Sequence, residues 1–429
     1  MNHPSASSPA RAALLALFAA LCLAALPSPA LAGKGDRHHA KRHGHHAKHD
    51  SDRGKHRGHR GKGHEGRGHR HPGHPGRGKE VRVMTRNVYL GANLLPALAA
   101  KSLDEAVAAN GQILREVTAN DFPTRARGLA AEILAEKPDL VGLQEVALWR
   151  TAPPSLAPLQ TGPSATAVRY DYLGELLAEL NAGKGKGGKG KPQYEVVVVQ
   201  QEFDLEAPAD ENGVAGDGVP ALGIPDAEIN GRLTMRDAIL ARRGAGVRTW
   251  NEAGAHFATT LPVEVLGNVL NVVRGWTATD AKVRGSHPFR FVNTHLEAFQ
   301  PEVRAAQAGE LVAPGGPATS GLPVVLLGDL NSDDDTVKEP ERLAYEVLLG
   351  AGMASRSTGD PPSCCLASSL LAEGAGGSVA DFDHQVDHVL TRDHDAVTLK
   401  RSAVTGLLPV DGFWSSDHAG VFSALRFAN

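Results

Sequence analysis

The sequence predicts a sheet-centred α/β fold for residues 81–429 of the 429-residue chain. Three observations predict it. Short apolar runs rich in β-branched residues recur along that stretch, each of buried-strand length. Helical patterns lie between some of them. Run after run then ends in a carboxylate, imidazole or carboxamide, the usual place for sites in sheet proteins. A chain that is 41% hydrophobic and 22% charged excludes wholesale disorder, a disulfide scaffold and a multi-span membrane protein.

The elements follow in order. Val81–Arg86 reads as a strand ending in Asn87. Thr124–Glu136 reads as a helix, with Pro138 just past its end. Asp139–Leu143 is a strand running into Gln144-Glu145. Tyr172–Leu180 is a second helix, and Gly183–Lys191, built of Gly and Lys alone, reads as a flexible surface loop. Glu195–Val199 and Ala238–Ala241 are strands, separated by an acidic, Gly/Pro-rich excursion over 204–232. Phe289–Asn293 is a strand running into Thr294-His295, followed by a helix over Glu302–Leu311. Val324–Leu327 runs into Gly328-Asp329-Leu330-Asn331, and Val386–Leu390 carries Asp387-His388. Ser415-Ser416-Asp417-His418 precedes the last strand, Gly420–Leu425.

Two segments precede this body. Arg11, the apolar run Ala12–Leu26 and the small-residue end Ala30-Leu31-Ala32 describe a secretory signal peptide over 1–32. The run is too short to span a bilayer, for which about 20 residues are needed. A secreted protein starting near Gly33, with no membrane span in its mature chain, is expected. Residues 33–80 hold 12 of the 20 histidines among Gly, Lys and Arg, with a net charge of +9, whereas the body carries −13. Such an arm lacks the apolar surface to offset its ordering entropy and is expected to be disordered. A solvated linker, a polyanion-binding segment, a pH-dependent tether and a transition-metal-binding segment are its open readings. After export only Cys364 and Cys365 remain; with no C-x-x-C pair, the sequence offers no cysteine zinc site.

The strand ends carry carboxylates, imidazoles and carboxamides. There is no G-x-S-x-G nucleophile and no H-E-x-x-H. Carboxylate oxygens suit Mg²⁺ or Mn²⁺, and imidazoles can move the protons of an attacking water or a leaving oxygen. Together they suit water attack on a phosphoester. The ordered set N-x-x-L-G, L-Q-E-V, N-T-H-L, G-D-L-N, V-D-H-V and S-D-H resembles the endonuclease/exonuclease/phosphatase superfamily over 81–429.

The resemblance implies a DNase I-like sandwich: two mixed β-sheets face to face, flanking helices, and the site at one edge. It implies Glu145 as the principal metal carboxylate, with Asn87 beside it and Asp417 on the metal side. His295 would contact the scissile phosphate. Asp329 and Asn331 would orient water, projecting to one face of an extended segment. Asp387 would fix the tautomer of His418, the acid or base. Asn87 and the Asp-Leu-Asn segment, taken alone, also read as turn residues. His388 is expected to face away, Arg304 and Gln307 to act as supports, and Arg236-Asp237 to approach the site. The resemblance further implies a monomeric, Mg²⁺-dependent phosphodiesterase. Its substrate would be nucleic acid or a phospholipid head group, with nuclease activity placed ahead of a sphingomyelinase-like phospholipase C. A soluble phosphomonoester, or a surface protein working through its arm, are the other readings.

Overall fold

Alternation of apolar side chains decides how the strands are buried. In β12 (Val324–Asp329), Val325 and Leu327 enter one core cluster while Val324 and Leu326 enter another. Successive side chains point to opposite faces, so a strand apolar on both faces must lie in a covered sheet. This computed structural model describes residues 80–427, apart from 156, 184–192, 219–222, 225, 336–339, 358–359, 374–376 and 393–396. The expected signal peptide, the arm and nearly all of the Gly/Lys loop lie outside the described residues. The arm's expected boundary moves by one residue, since Glu80 already pairs with Arg426.

One sheet contains β1 (Glu80–Asn87), β2 (Leu140–Gln144), β3 (Leu148–Ala152), β4 (Ala167–Asp171), β5 (Tyr194–Ala209), β6 (Ile229–Arg242), β15 (Val397–Thr405) and β16 (Gly420–Phe427). Its order is β15-β16-β1-β2-β6-β3-β4, with β5 along β6. The second contains β7 (Arg248–His256), β10 (Gly275–Lys282), β11 (Phe289–His295), β12, β13 (Ala354–Ser355) and β14 (Asp387–Arg392). Its order is β13-β14-β12-β11-β10-β7. A separate hairpin joins β8 (Leu261–Val265) to β9 (Asn268–Val272).

Both large sheets are mixed. β1 and β2 run parallel, as do β11 and β12, while the other pairs are antiparallel. The sheets pack face to face through side chains such as Val81, Leu140 and Val421 from one and Phe289, Phe291 and Val389 from the other. Outside the first sheet lie α1 (Leu95–Leu98), α2 (Leu103–Ala119), α3 (Phe122–Glu136) and, after the short α4 (Pro158–Thr161) of the β3–β4 connection, α5 (Tyr172–Asn181). Leu114, Val117, Leu129 and Leu176 join that outer core. Outside the second lie α6 (Pro301–Val312) and α7 (Leu343–Gly350), packed through Leu311 and Leu348. This is the expected sandwich.

The register positions the site. The parallel strands β1 and β2 finish together, with Asn87 opposite Gln144. So do β11 and β12, with His295 opposite Asp329. β14 starts where β12 stops, placing Asp387 opposite Asp329. β16 runs antiparallel to β1, so the residues just before it arrive beside Asn87. Gln144 and Asn293 tie the sheets under this edge: Gln144 Nε2 donates to Asn293 Oδ1, and Asn293 Nδ2 donates to Leu143 O (3.2 Å) and Thr277 Oγ1 (3.1 Å).

The excursion over 204–232 is shorter than expected. Residues 204–209 extend β5 and 229–232 extend β6, paired as one long hairpin. Acidic residues there face basic partners: Asp204 accepts from Arg232 Nε at 2.8 Å.

Candidate active site

The eight residues expected at the site all come to one edge of the sandwich. Asn87 bridges two carboxylates, its Nδ2 donating to Glu145 Oε1 (3.2 Å) and Asp329 Oδ2 (2.9 Å). Its Oδ1 accepts from Tyr89 N at 2.9 Å, an Asx turn. Asn87 is thus a turn residue that also lies beside Glu145 and Asp329, with the amide nitrogen rather than the oxygen facing the carboxylates. Glu145 follows β2 with φ +57°, a left-handed conformation uncommon outside glycine. That bend directs its carboxylate to the edge, where Oε2 accepts from Leu90 N at 2.8 Å. Arg236 holds the same bend by donating to Val146 O (2.9 Å) and Asp171 (2.6 Å).

The two histidines sit in opposite environments. Arg274 Nη1 lies 3.0 Å from His295 Nδ1. Arginine only donates, so Nδ1 accepts and the proton of neutral His295 sits on Nε2. That atom is 3.4 Å from Asp329 Oδ2 and 4.0 Å from Glu145 Oε1. Burial, then the Arg274 charge, hold His295 well below the usual imidazole range. His418 Nδ1 lies 2.8 Å from Asp387 Oδ2, as expected, and Nε2 lies 3.7 Å from Asp329 Oδ2. Burial opposes its charge, but Asp387 and Asp329 outweigh burial and raise His418 well above the usual range. Two titratable groups pushed apart in this way suit divided acid–base roles.

Asp329 is pushed up to about 6, first by burial and then by Asp387. Asp417 is pushed up to about 7, first by burial and then by Glu145. These buried carboxylates outnumber their nearby cations.

Asn331 departs from expectation. The strand ends at Asp329, and Asn331 adopts φ +47° rather than continuing extended. Its N–H donates to Asp329 Oδ1 (2.9 Å), closing an Asx turn, and its Nδ2 donates to Leu296 O (3.1 Å). The residue borders the site, but the two side chains do not share a strand face. Just upstream, Gly328 has φ +152°, and a Cβ there would come 1.9 Å from Thr294 O.

Several supports behave as expected. His388 faces away, with Nε2 on Ser332 O at 2.9 Å. Arg304 donates to Glu297 O and Ala298 O, both at 2.7 Å, and Gln307 Oε1 accepts from Glu297 N at 2.8 Å, fixing the loop after His295. Asp237 is fully buried and pushed up to about 8, by burial against the opposing pull of Arg274. Buried Glu202 is likewise raised well above the usual range by burial and then by Asp237.

Sequence reasoning missed Arg274, Glu202 and the placement of the cysteines. Arg274 lies in a short connection with no motif around it. Only its position after β9 and before β10, which pairs with the strand bearing His295, marks it.

A cavity of about 450 Å³ opens from this edge. One end is formed by Glu145, His295, Asp329, Asn331, Asp417 and His418. The remaining wall is mainly apolar, including Leu94, Leu114, Trp149, Phe203, Leu233 and Phe299.

The family model described as the Endonuclease/Exonuclease/phosphatase family matches residues 87–418, well over half of the chain. The chain belongs to that family. It is a phosphoesterase-type hydrolase by membership. A Bacteroides thetaiotaomicron protein of the same family is 15% identical, with 82% of this chain and 99% of that one covered at a TM-score of 0.45. One from Beutenbergia cavernae is 21% identical, covering 82% and 72% at 0.44. A mannosyl-6-phosphatase of Bacteroides thetaiotaomicron is 14% identical, covering 81% and 100% at 0.43. No curated protein matches. Among the described residues, no helix is long and apolar enough to cross a membrane.

Proposed function

We propose that this family member is an exported, divalent-metal-dependent phosphodiesterase whose substrate carries an apolar group, of the phospholipid kind. The cavity carries this reading: reacting groups line one end and aliphatic and aromatic side chains line the rest. Ligand sites commonly combine an apolar wall with a few convergent polar groups. The −13 charge of the body opposes a polyanion, whereas a zwitterionic or singly charged phosphodiester meets less repulsion. The nuclease reading keeps one support, the +9 arm, which could hold a polyanion near the site.

The donor set fits a hard cation. Glu145 and Asp417 offer carboxylate oxygens, and burial together with mutual repulsion keeps Asp417 protonated up to about pH 7 without a counter-charge. Glu145 and Asp417 would hold Mg²⁺ or Mn²⁺, which when bound neutralises phosphate charge. Asn87 orients Glu145 and Asp329. His295, kept neutral by burial and Arg274, donates its Nε2–H to a phosphoryl oxygen. Asp329 takes the proton of the attacking water, and His418, held by Asp387, gives its proton to the leaving oxygen. Asn331 borders the water's side of the phosphate.

The test uses the mature chain on sphingomyelin or phosphatidylcholine vesicles and on supercoiled plasmid, with Mg²⁺ or a chelator. Metal-dependent release of the head group, with plasmid left intact, is expected. Nicked plasmid with untouched lipid would reverse the choice of substrate.

A further inference from the structure

Cys364 and Cys365 lie against the imidazole that the proposed reaction uses. Backbone pairing puts them there. Cys364 bridges both His384 and His418, Leu366 N donates to Asp417 O at 2.9 Å, and Ala419 N donates to Ser363 O at 2.7 Å. The two sulfurs, paired as a disulfide, lie 3.6 and 3.8 Å from His418 Nε2. In a tetrahedral zinc site with ordinary Zn–S and Zn–N bonds, sulfur and nitrogen stand about 3.6 Å apart.

We propose that the reduced Cys364–Cys365 pair and His418 Nε2 form a three-ligand site for a soft divalent ion of the zinc and cadmium class. The ligand atoms of the three residues lie within 4.8 Å of one another. The surroundings meet the other needs of such a site. Asp387 holds His418 Nδ1 at 2.8 Å, the carboxylate–histidine arrangement that orients metal-binding imidazoles. Cys364 is buried and Cys365 exposed, which gives the ion an entry path and solvent a fourth position. The hard-cation residues present oxygen, and this cluster presents sulfur and nitrogen, so the two sites select different ions.

The chemistry has two steps. A thiol reductant gives two electrons and two protons to the disulfide, leaving two thiols and becoming a disulfide itself. The ion then displaces both thiol protons and the Nε2 proton of His418, three in all, and binds the two sulfurs and Nε2. The bound ion occupies the nitrogen from which His418 would protonate the leaving oxygen, so loading removes activity. That consequence rests on the function proposed above; the binding does not.

The experiment titrates the mature chain with Cd²⁺ before and after dithiol reduction, with the free reductant removed, and follows the thiolate-to-cadmium charge-transfer band. Histidines of the 33–80 arm cannot produce that band. One Cd²⁺ per reduced chain is expected, with no band in the oxidised protein or in a Cys364→Ser/Cys365→Ser variant. His418→Ala should weaken the affinity tenfold or more. Phosphodiesterase activity in excess Mg²⁺ should fall at least tenfold on loading, and should not fall in the Cys365→Ser variant, whose thermal unfolding serves as a folding control. A band that ignores His418→Ala, or no band after reduction, overturns the site. A band that tracks His418 in a protein inactive on every phosphodiester leaves the site standing and overturns the enzymatic reading instead.

Discussion

At the scale of single residues, the proposed chemistry depends on the contrast between His295 and His418. Arg274 fixes one and Asp387 the other. Replacing Asp387 by Asn keeps the shape but removes the charge that, with Asp329, offsets burial at His418. We expect kcat to fall by about 10²-fold or more, the scale of general acid–base catalysis. The alkaline limb of the pH–rate profile should move to lower pH, because the imidazolium loses its stabilising partner; an unmoved limb would assign that limb to another group. Arg274→Gln leaves Glu202 and Asp237 buried without their cation. The loss of the charged donor to His295 Nδ1 costs about 1–3 kcal/mol, so denaturant unfolding should show a loss on that scale. The motifs made Asn87, Glu145, His295, Asp329, Asp387 and His418 legible because each ends or begins a strand or lies within two residues of one. Arg274 was illegible because its role exists only once β9 and β10 have delivered it to Nδ1 of His295.

At the scale of elements, eight strands were legible as apolar, β-branched runs, and all eight form. The edge strand β7 was not, because its alternation includes Asn, Glu and His and half-buried Ala rather than a hydrophobic run. Helix α2 escaped for a different reason. Gly111 interrupts its pattern, yet glycine is required where a Cβ would meet Asp210 O at 1.6 Å. Its start does carry a cap, with Ser102 Oγ accepting from Glu105 N at 3.2 Å. The same close approach governs β12. Gly328→Ala would force the added Cβ onto Thr294 O and shift β12 against β11, which together present Asp329 and His295. The variant should lose about 1–3 kcal/mol of stability, the scale of overpacking. It should also lose kcat at a temperature where it remains folded, although residue 328 touches no reacting atom. Unchanged kcat in a folded variant would mean that this register does not set the site.

At the scale of the whole molecule, the sandwich concentrates acidic groups at one edge, and metal binding should therefore couple to stability and to pH. Asp329 and Asp417 are raised to about 6 and about 7, above their unfolded range near 4. Between those values the native state binds more protons than the unfolded chain, so these groups make metal-free stability fall as pH rises. A divalent ion bound as proposed would replace those protons. The Tm increase produced by Mg²⁺ should accordingly be larger at pH 8 than at pH 5; an equal increase at both would place the ion away from these carboxylates. The histidine-rich, basic composition of residues 33–80 is read from the sequence alone, since charge and histidine content need no fold.

The central claim is that Mg²⁺ and the Asp387–His418 pair together hydrolyse a phosphodiester at this edge. The most direct test is the kcat/KM of a soluble phosphodiester with an alkoxide leaving group, dihexanoyl phosphatidylcholine, for the wild type and for His418→Ala, each with Mg²⁺ and with a chelator. The account predicts turnover only in the wild type with Mg²⁺, and a loss of about 10²-fold or more on either change. Turnover that survives both the chelator and the loss of the imidazole would contradict it.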